Sequence, residues 1–220
     1  MTEKIHAILM GDVVKSRQSD QKELYKKFNL VVKKVSKKHS RRIISPLTIT
    51  LGDEFQGITT STLDAFRIAT SIGLEAMSAN FRCRHVIAAG RIDTRINRKK
   101  SWNMLGEGLT VARETLNDKT KNDNRYRFVV SGPIATKSLN FIGQVMTSIE
   151  DGWTARQLEV VTTVLKSRST NMETAEALGI ADRVFYKILK SASFQMYQGC
   201  FITIEQILTE FDKSKGLAHA

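Results

Sequence analysis

A glycine turn between two strand-like runs sets the strongest limit on how this chain can fold. Leu47-Thr48-Ile49-Thr50-Leu51 alternates and is rich in β-branched residues, Gly52-Asp53-Glu54 is a turn, and Phe55-Gln56-Gly57-Ile58 begins a returning strand. This is a hairpin signal, because glycine and aspartate accept turn backbone conformations at little cost. Before it, Leu24, Phe28, Val31 and Val35 step by 4, 3 and 4, which puts them on one face of a helix. After it, Leu63, Phe66, Thr70, Leu74 and Met77 step in the same way. Outside these helices stand two further strand runs, Ile5 to Met10 and Cys83 to Ile92. A hairpin flanked on each side by a helix and then a strand predicts a β-α-β-β-α-β order and a ferredoxin-like, split βαβ sheet.

The pattern continues for one more helix and strand. Ile92-Asp93-Thr94-Arg95-Ile96 extends the fourth strand or starts another. Leu105, Leu109, Ala112 and Leu116 mark a third helix, and Tyr126-Arg127-Phe128-Val129-Val130 a last strand ended by Gly132-Pro133. Beyond Pro133 only helical periodicity remains. The expected class is α+β: a sheet domain over 1–133, a helical linker over 134–151 and a small all-α module over 152–220.

Charge narrows the partners. The chain of 220 residues carries a net charge of +12, which favours polyanions such as nucleotides or nucleic acid. The excess is uneven: residues 1–151 hold 26 Lys and Arg against 15 Asp and Glu, and residues 152–220 hold 8 against 7. Much of it lies on the first helix, at Lys22, Lys26, Lys27, Lys33, Lys34 and Lys37. Two cysteines, Cys83 and Cys200, make neither a disulfide framework nor a zinc site. With no apolar run long enough to span a bilayer and no secretory leader pattern, a cytoplasmic protein without membrane contact is expected.

Two aspartates close predicted strands: Asp12 after the first and Asp53 in the hairpin. In a split βαβ sheet those strands are neighbours, so the two carboxylates converge at one end of the sheet. Carboxylates so placed suit Mg²⁺ or Mn²⁺, hard cations that take one or two carboxylates together with substrate phosphates. Gly11 and Gly52 permit close backbone approach to a phosphate, and Val13, Val14, Lys15 and Ser16 offer amides and a cation for a triphosphate. Glu54 reads either as a further ligand or as a solvated turn residue. Gly-Asp pairs are also ordinary turn formers.

These residues carry a resemblance. Ile8 to Val14 and Thr50 to Phe55 resemble the two metal-binding strands of class III nucleotide cyclases, and the second also resembles the signature turn of diguanylate cyclases. Leu105 to Arg113 resembles the cyclase helix that follows the glycine-rich hairpin. Taken together, Gly11 to Arg17, Ser45 to Gly57, Ala112 to Leu116 and Trp153 to Gln157 resemble the SatD family of bacterial proteins, associated with secretion and acid tolerance. The resemblance implies a cyclase-like domain that binds a nucleotide, with Asp12 and Asp53 on the metal and Gly11, Val13, Val14, Lys15, Ser16, Gly52 and Glu54 around the ligand. The cyclases' base-reading lysine is replaced here by Leu47 and Ile49. Their ribose-orienting asparagine falls on Thr110 and their transition-state arginine on Glu114, with Arg113 one residue away. Nucleotide binding is therefore expected ahead of cyclisation. The alternative is an enzyme, an active nucleotidyl cyclase (a phosphorus–oxygen lyase) or a related two-metal phosphoryl-transfer catalyst, with Arg113 and Thr110 as catalytic residues. By analogy with cyclase sites shared between subunits, a homodimer is expected.

The C-terminal pattern predicts three short helices: one opened by Trp153-Thr154-Ala155, one over Glu173 to Leu178 ended by Gly179, and one over Ala181 to Lys190. A short helix, a glycine turn and a longer helix are the parts of a helix-turn-helix. Arg183, Tyr186, Lys187 and Lys190 share the outer face of the third helix, where they would meet DNA. A tri-helical packing module with an ordinary solvated face reads from the same residues. A last amphipathic helix, Phe201 to Phe211, is expected to pack on this module or on a second subunit.

Overall fold

Among the described residues five strands form a single sheet in the order β2-β3-β1-β4-β5. In chain order the elements are β1 (Ile5–Val13), α1 (Gln21–Lys38), a 3₁₀ turn (Ser40–Arg42), β2 (Ile43–Ile49), β3 (Glu54–Thr59), α2 (Thr62–Ser78), β4 (Cys83–Arg91), α3 (Glu107–Asn117), β5 (Tyr126–Val129) and α4 (Pro133–Asp151). Four more helices follow: α5 (Ala155–Lys166), α6 (Asn171–Ala177), α7 (Asp182–Ser191) and α8 (Phe194–Lys215). The structure is a computed structural model that describes residues 4–14, 20–50, 52–118, 124–167 and 169–217. Among the described residues no helix is long and apolar enough to cross a membrane.

β1 runs antiparallel to both β3 and β4, β2 antiparallel to β3, and β5 parallel to β4. β3 therefore lies between β1 and β2, which α1 joins, and β1 lies between β3 and β4, which α2 joins. β2 is an edge strand with register shifts on both sides of Ser45, and it accommodates Pro46, which an inner strand would not. The run Ile92 to Ile96 forms no strand: β4 ends at Arg91 and an irregular segment leads to α3.

Alternation along the strands divides the core into two layers. Leu9, Val13, Phe55 and Ile87 face α1, α2, α4 and α8 in the larger core. Ile8, Met10, Ile58, Val86 and Ala88 face α3, which contributes Leu109, Ala112 and Leu116. Two glycines let α3 settle close to β4: a Cβ on Gly90 would lie 2.5 Å from Cα of Gly108. A third cluster joins Val160, Val161, Ala175, Phe185, Leu189 and Phe194 of α5 to α8. Capping boxes at Thr154 with Gln157 and at Thr170 with Glu173 start α5 and α6.

Two helices pack differently from expectation. α4, expected as a linker, buries Leu139 and Met146 in the larger core. α8, expected on the C-terminal module or a second subunit, lays Tyr197, Ile204, Leu208 and Phe211 into that same core. The Asp212 carboxylate then accepts hydrogen bonds from the Thr62 and Leu63 amides and the Thr62 hydroxyl at the start of α2, at 3.0, 3.0 and 2.7 Å.

Candidate functional site

The hairpin turn and the end of β1 come together, as their strand positions require. The Val13 amide donates to the Asp53 carbonyl at 3.0 Å, which holds the hairpin turn against the end of β1. In register, Asp12 stands opposite Glu54 of β3 on one side and Arg84 of β4 on the other. All three point to the α3 side of the sheet, by alternation with Met10, Gln56 and Val86.

Their pairing was not foreseen. Arg84 grips Asp12 with both ends of its guanidinium: Nε lies 3.0 Å from Oδ1 and Nη2 2.5 Å from Oδ2. Both side chains are nearly buried. From α3, Arg113 donates to Glu54 Oε2 at 3.3 Å and to Gln56 Oε1 at 2.7 Å. Two neighbouring carboxylates, each paired with its own guanidinium, thus stand at this end of the sheet. Gln56 passes the network on, since its amide nitrogen donates to the Ser101 carbonyl in the segment between β4 and α3.

Above this network lies an open cavity of about 610 Å³. Its lining includes Thr50, Gln56, Trp102, Thr110, Arg113 and Asn117. The expected Thr110 and Arg113 therefore share one wall, and Arg113 connects it to the hairpin.

Other groups expected around a ligand at this end of the chain have structural partners or roles of their own. The Val13 and Val14 amides do not present themselves to a triphosphate: they are spent on the carbonyls of Asp53 and Arg82. Gly11 answers a packing need, since a Cβ there would lie 2.6 Å from the Phe55 ring and 2.8 Å from the Arg84 carbonyl. Gly52 serves the turn, with φ of +78°. Lys15 and Ser16 lie outside the described residues.

The arrangement does not fit a caged Mg²⁺ or Mn²⁺. Both Asp12 oxygens face a guanidinium, and among the described residues no three acidic, histidine or cysteine side chains gather as metal ligands. A cation could use Asp12 only after Arg84 had let go.

Arg84, Gln56 and Trp102 are the site residues that the sequence reading missed. Arg84 left a signal: a cation amid the apolar run of a central strand needs a buried partner. On the opposite face, its neighbour His85 is fully buried against Phe55 and Tyr126, and burial pushes its pKa down to about 3.

In the C-terminal helices the expected outer face is present. Arg183, Tyr186, Lys187 and Lys190 of α7 are all exposed, whereas Phe185 and Leu189 are buried in the third cluster. Trp153 donates to the Ala192 carbonyl at 2.8 Å, and Gln157 donates to Ser191 Oγ at 3.0 Å, so the start of α5 is tied to the end of α7.

No curated protein matches the chain. Among solved structures, a bacterial light-regulated adenylyl cyclase is similar at 13% identity over 57% of this chain and 43% of its own, with a TM-score of 0.42. The chain thus spans less than half the length of that cyclase. The catalytic core of a rhodopsin-guanylyl cyclase with converted specificity, in complex with ATPαS, is similar at 14% identity over 52% of this chain and 74% of its own, with a TM-score of 0.37. The guanylyl cyclase Cya2 is similar at 12% identity over 51% and 68%, with a TM-score of 0.35. The SatD family matches residues 6–208, nearly the whole chain, and the chain belongs to that family.

Proposed function

We propose that this SatD-family chain binds a nucleoside phosphate in the cavity between α3 and the β2–β3 hairpin. The observation that carries the reading is Arg113, which reaches from α3 to Glu54 and Gln56 and forms part of the cavity wall. A guanidinium held in place by two side chains is a ready partner for phosphate oxygens. We read the sheet as ferredoxin-like, and the Val13–Asp53 hydrogen bond, which ties the end of β1 to the hairpin turn, supports the same reading. Were Mg²⁺ or Mn²⁺ to accompany the phosphates as counter-ion, Asp12 and Asp53 are the carboxylates that would hold it, Asp12 only if freed from Arg84. α5 to α7 form the helix-turn-helix, and α7 binds DNA through Arg183, Tyr186, Lys187 and Lys190, which stand together in solvent.

The decisive experiment is incubation with each of the four ribonucleoside triphosphates, with Mg²⁺, with Mn²⁺ and with chelator. Equilibrium binding and chromatography of the products are measured in parallel. Saturable binding without a cyclic product is expected. Failure to bind any of the four overturns the reading, and a cyclic product would make the chain an enzyme.

A further inference from the structure

The segment between β4 and α3, residues 92–106, has neither helix nor strand, yet it is firmly anchored. Ser101 is fully buried; its hydroxyl donates to the Pro46 carbonyl at 2.7 Å and its amide to Thr48 Oγ1 at 3.0 Å. Its carbonyl accepts from Gln56. Asn97 Oδ1 receives the amides of Lys99 and Lys100 at 3.0 and 3.1 Å. Met104 is buried in the α3-side core. Between the anchors Ser101 and Met104, Trp102 remains 44% exposed on the cavity wall. The next residue, Asn103, has φ of +55°, a left-handed turn conformation that asparagine accepts more readily than most residues.

An indole held in water by a segment tied down on both sides does not serve the core. Its surroundings are cationic: the Lys100 ammonium lies 5.1 Å from the ring centroid, and Arg95, Arg98 and Lys99 belong to the same segment. Gln56 couples this wall to the other, because one carboxamide both accepts from Arg113 and donates to Ser101. A ligand that matches both walls has a flat aromatic part and an anionic part. An inorganic anion would use only the cations, and an uncharged aromatic only the ring.

We propose that Trp102 is the platform on which the base of the bound nucleotide stacks, with Lys100 and Arg113 on the phosphates of the same ligand. The proposal rests on the nucleotide reading above and goes beyond it by naming the base-recognition residue. Aromatic stacking accepts any base, so the site would bind all four nucleotides, purines more tightly because their rings are larger.

The test is calorimetry of the full chain with ATP, GTP, CTP, UTP and inorganic tripolyphosphate, for the wild type, Trp102→Ala, Trp102→Leu and Trp102→Phe. Trp102→Ala is expected to weaken the nucleotides by about tenfold or more and to leave tripolyphosphate unchanged. Trp102→Phe should recover most of the loss and Trp102→Leu little, which decides the matter even where the inorganic anion binds too weakly to measure. If Trp102→Ala binds nucleotides like the wild type, or if Leu recovers as much as Phe, Trp102 is no platform and the nucleotide reading stands. An equal loss for tripolyphosphate would also overturn the platform. If the wild type binds none of the four nucleotides, both proposals fall together.

Discussion

Asp12 shows how a single contact changes the meaning of a residue. As a free carboxylate it would be a ligand; clamped by Arg84 it is half of a buried ion pair. Removing one member of such a pair strands the other charge, at a cost of about 3–5 kcal/mol, whereas replacing both is often close to neutral. Asp12→Asn is therefore expected to lower the urea-unfolding free energy by several kcal/mol. The double variant Asp12→Asn with Arg84→Gln should regain much of that loss, and equal stability of the single variant and the wild type would show that Asp12 is not held by Arg84. His85 makes a second prediction at this scale. Its folded-state pKa, about 3, lies below the ordinary value of 6.5, because burial disfavours the imidazolium. The unfolded chain then binds the extra proton first, so stability is complete above about pH 6.5 and is lost as pH falls toward 3, by up to about 1.4 kcal/mol per pH unit. His39, also lowered, to about 4, adds to the same slope. In His85→Phe the slope between pH 6.5 and 4 should fall by about one proton's worth. An unchanged slope in unfolding experiments across that window would remove His85 from the account.

At the scale of elements, periodicity was legible and partnership was not. The steps of 3 and 4 in α1, α2 and α3 and the hairpin at Gly52 mark the elements seen, because side-chain spacing reports which face is buried. The same spacing says nothing about what lies against that face. α4 reads from the sequence as a helical linker and α8 as an amphipathic helix, yet their place in the larger core depends on contacts between residues far apart in the chain, such as Tyr197 and Tyr126, whose hydroxyls both donate to Glu150. The pairing of Asp12 with Arg84 was hidden for the same reason, since it needs the register of β1 on β4. The clearest such contact is Asp212 on the start of α2, where a carboxylate also complements the helix dipole. Asp212→Ala leaves two amides and a hydroxyl without that acceptor and should cost about 1–3 kcal/mol. Hydrogen exchange should then quicken in α8 and in the first turn of α2 while the β1–β4 amides stay protected. Uniform quickening, or none, would mean that Asp212 does not fasten α8.

Across the whole molecule, positive charge and the proposed DNA-reading helix lie in different parts of the chain. The first 151 residues carry nearly all of the excess cations, much of it on the exposed side of α1, while the C-terminal helices are almost neutral. Some α1 lysines are already engaged: Lys27 with Glu23, and Lys34 with Glu75, which Lys166 of α5 also meets. If α7 reads DNA, its contribution should be specific and only modestly electrostatic, whereas the lysines of α1 would give weak binding blind to sequence. The two separate by their salt dependence, since each neutralised phosphate adds about 0.9 to the slope of log K against log salt. Arg183→Ala is expected to reduce discrimination between selected and random sites by about 1–3 kcal/mol, the worth of a bidentate arginine–guanine contact. Lys190→Ala should weaken all sequences alike and lower the salt slope by about one unit. Replacing Lys26, Lys33 and Lys37 with Gln should leave the preference for selected sites intact and reduce only binding at low salt. The measurement is site selection from a random DNA pool, followed by affinities of each variant at several salt concentrations. If the wild type enriches no sequence, α7 does not read DNA, and any binding that the α1 lysines alone account for is charge without recognition.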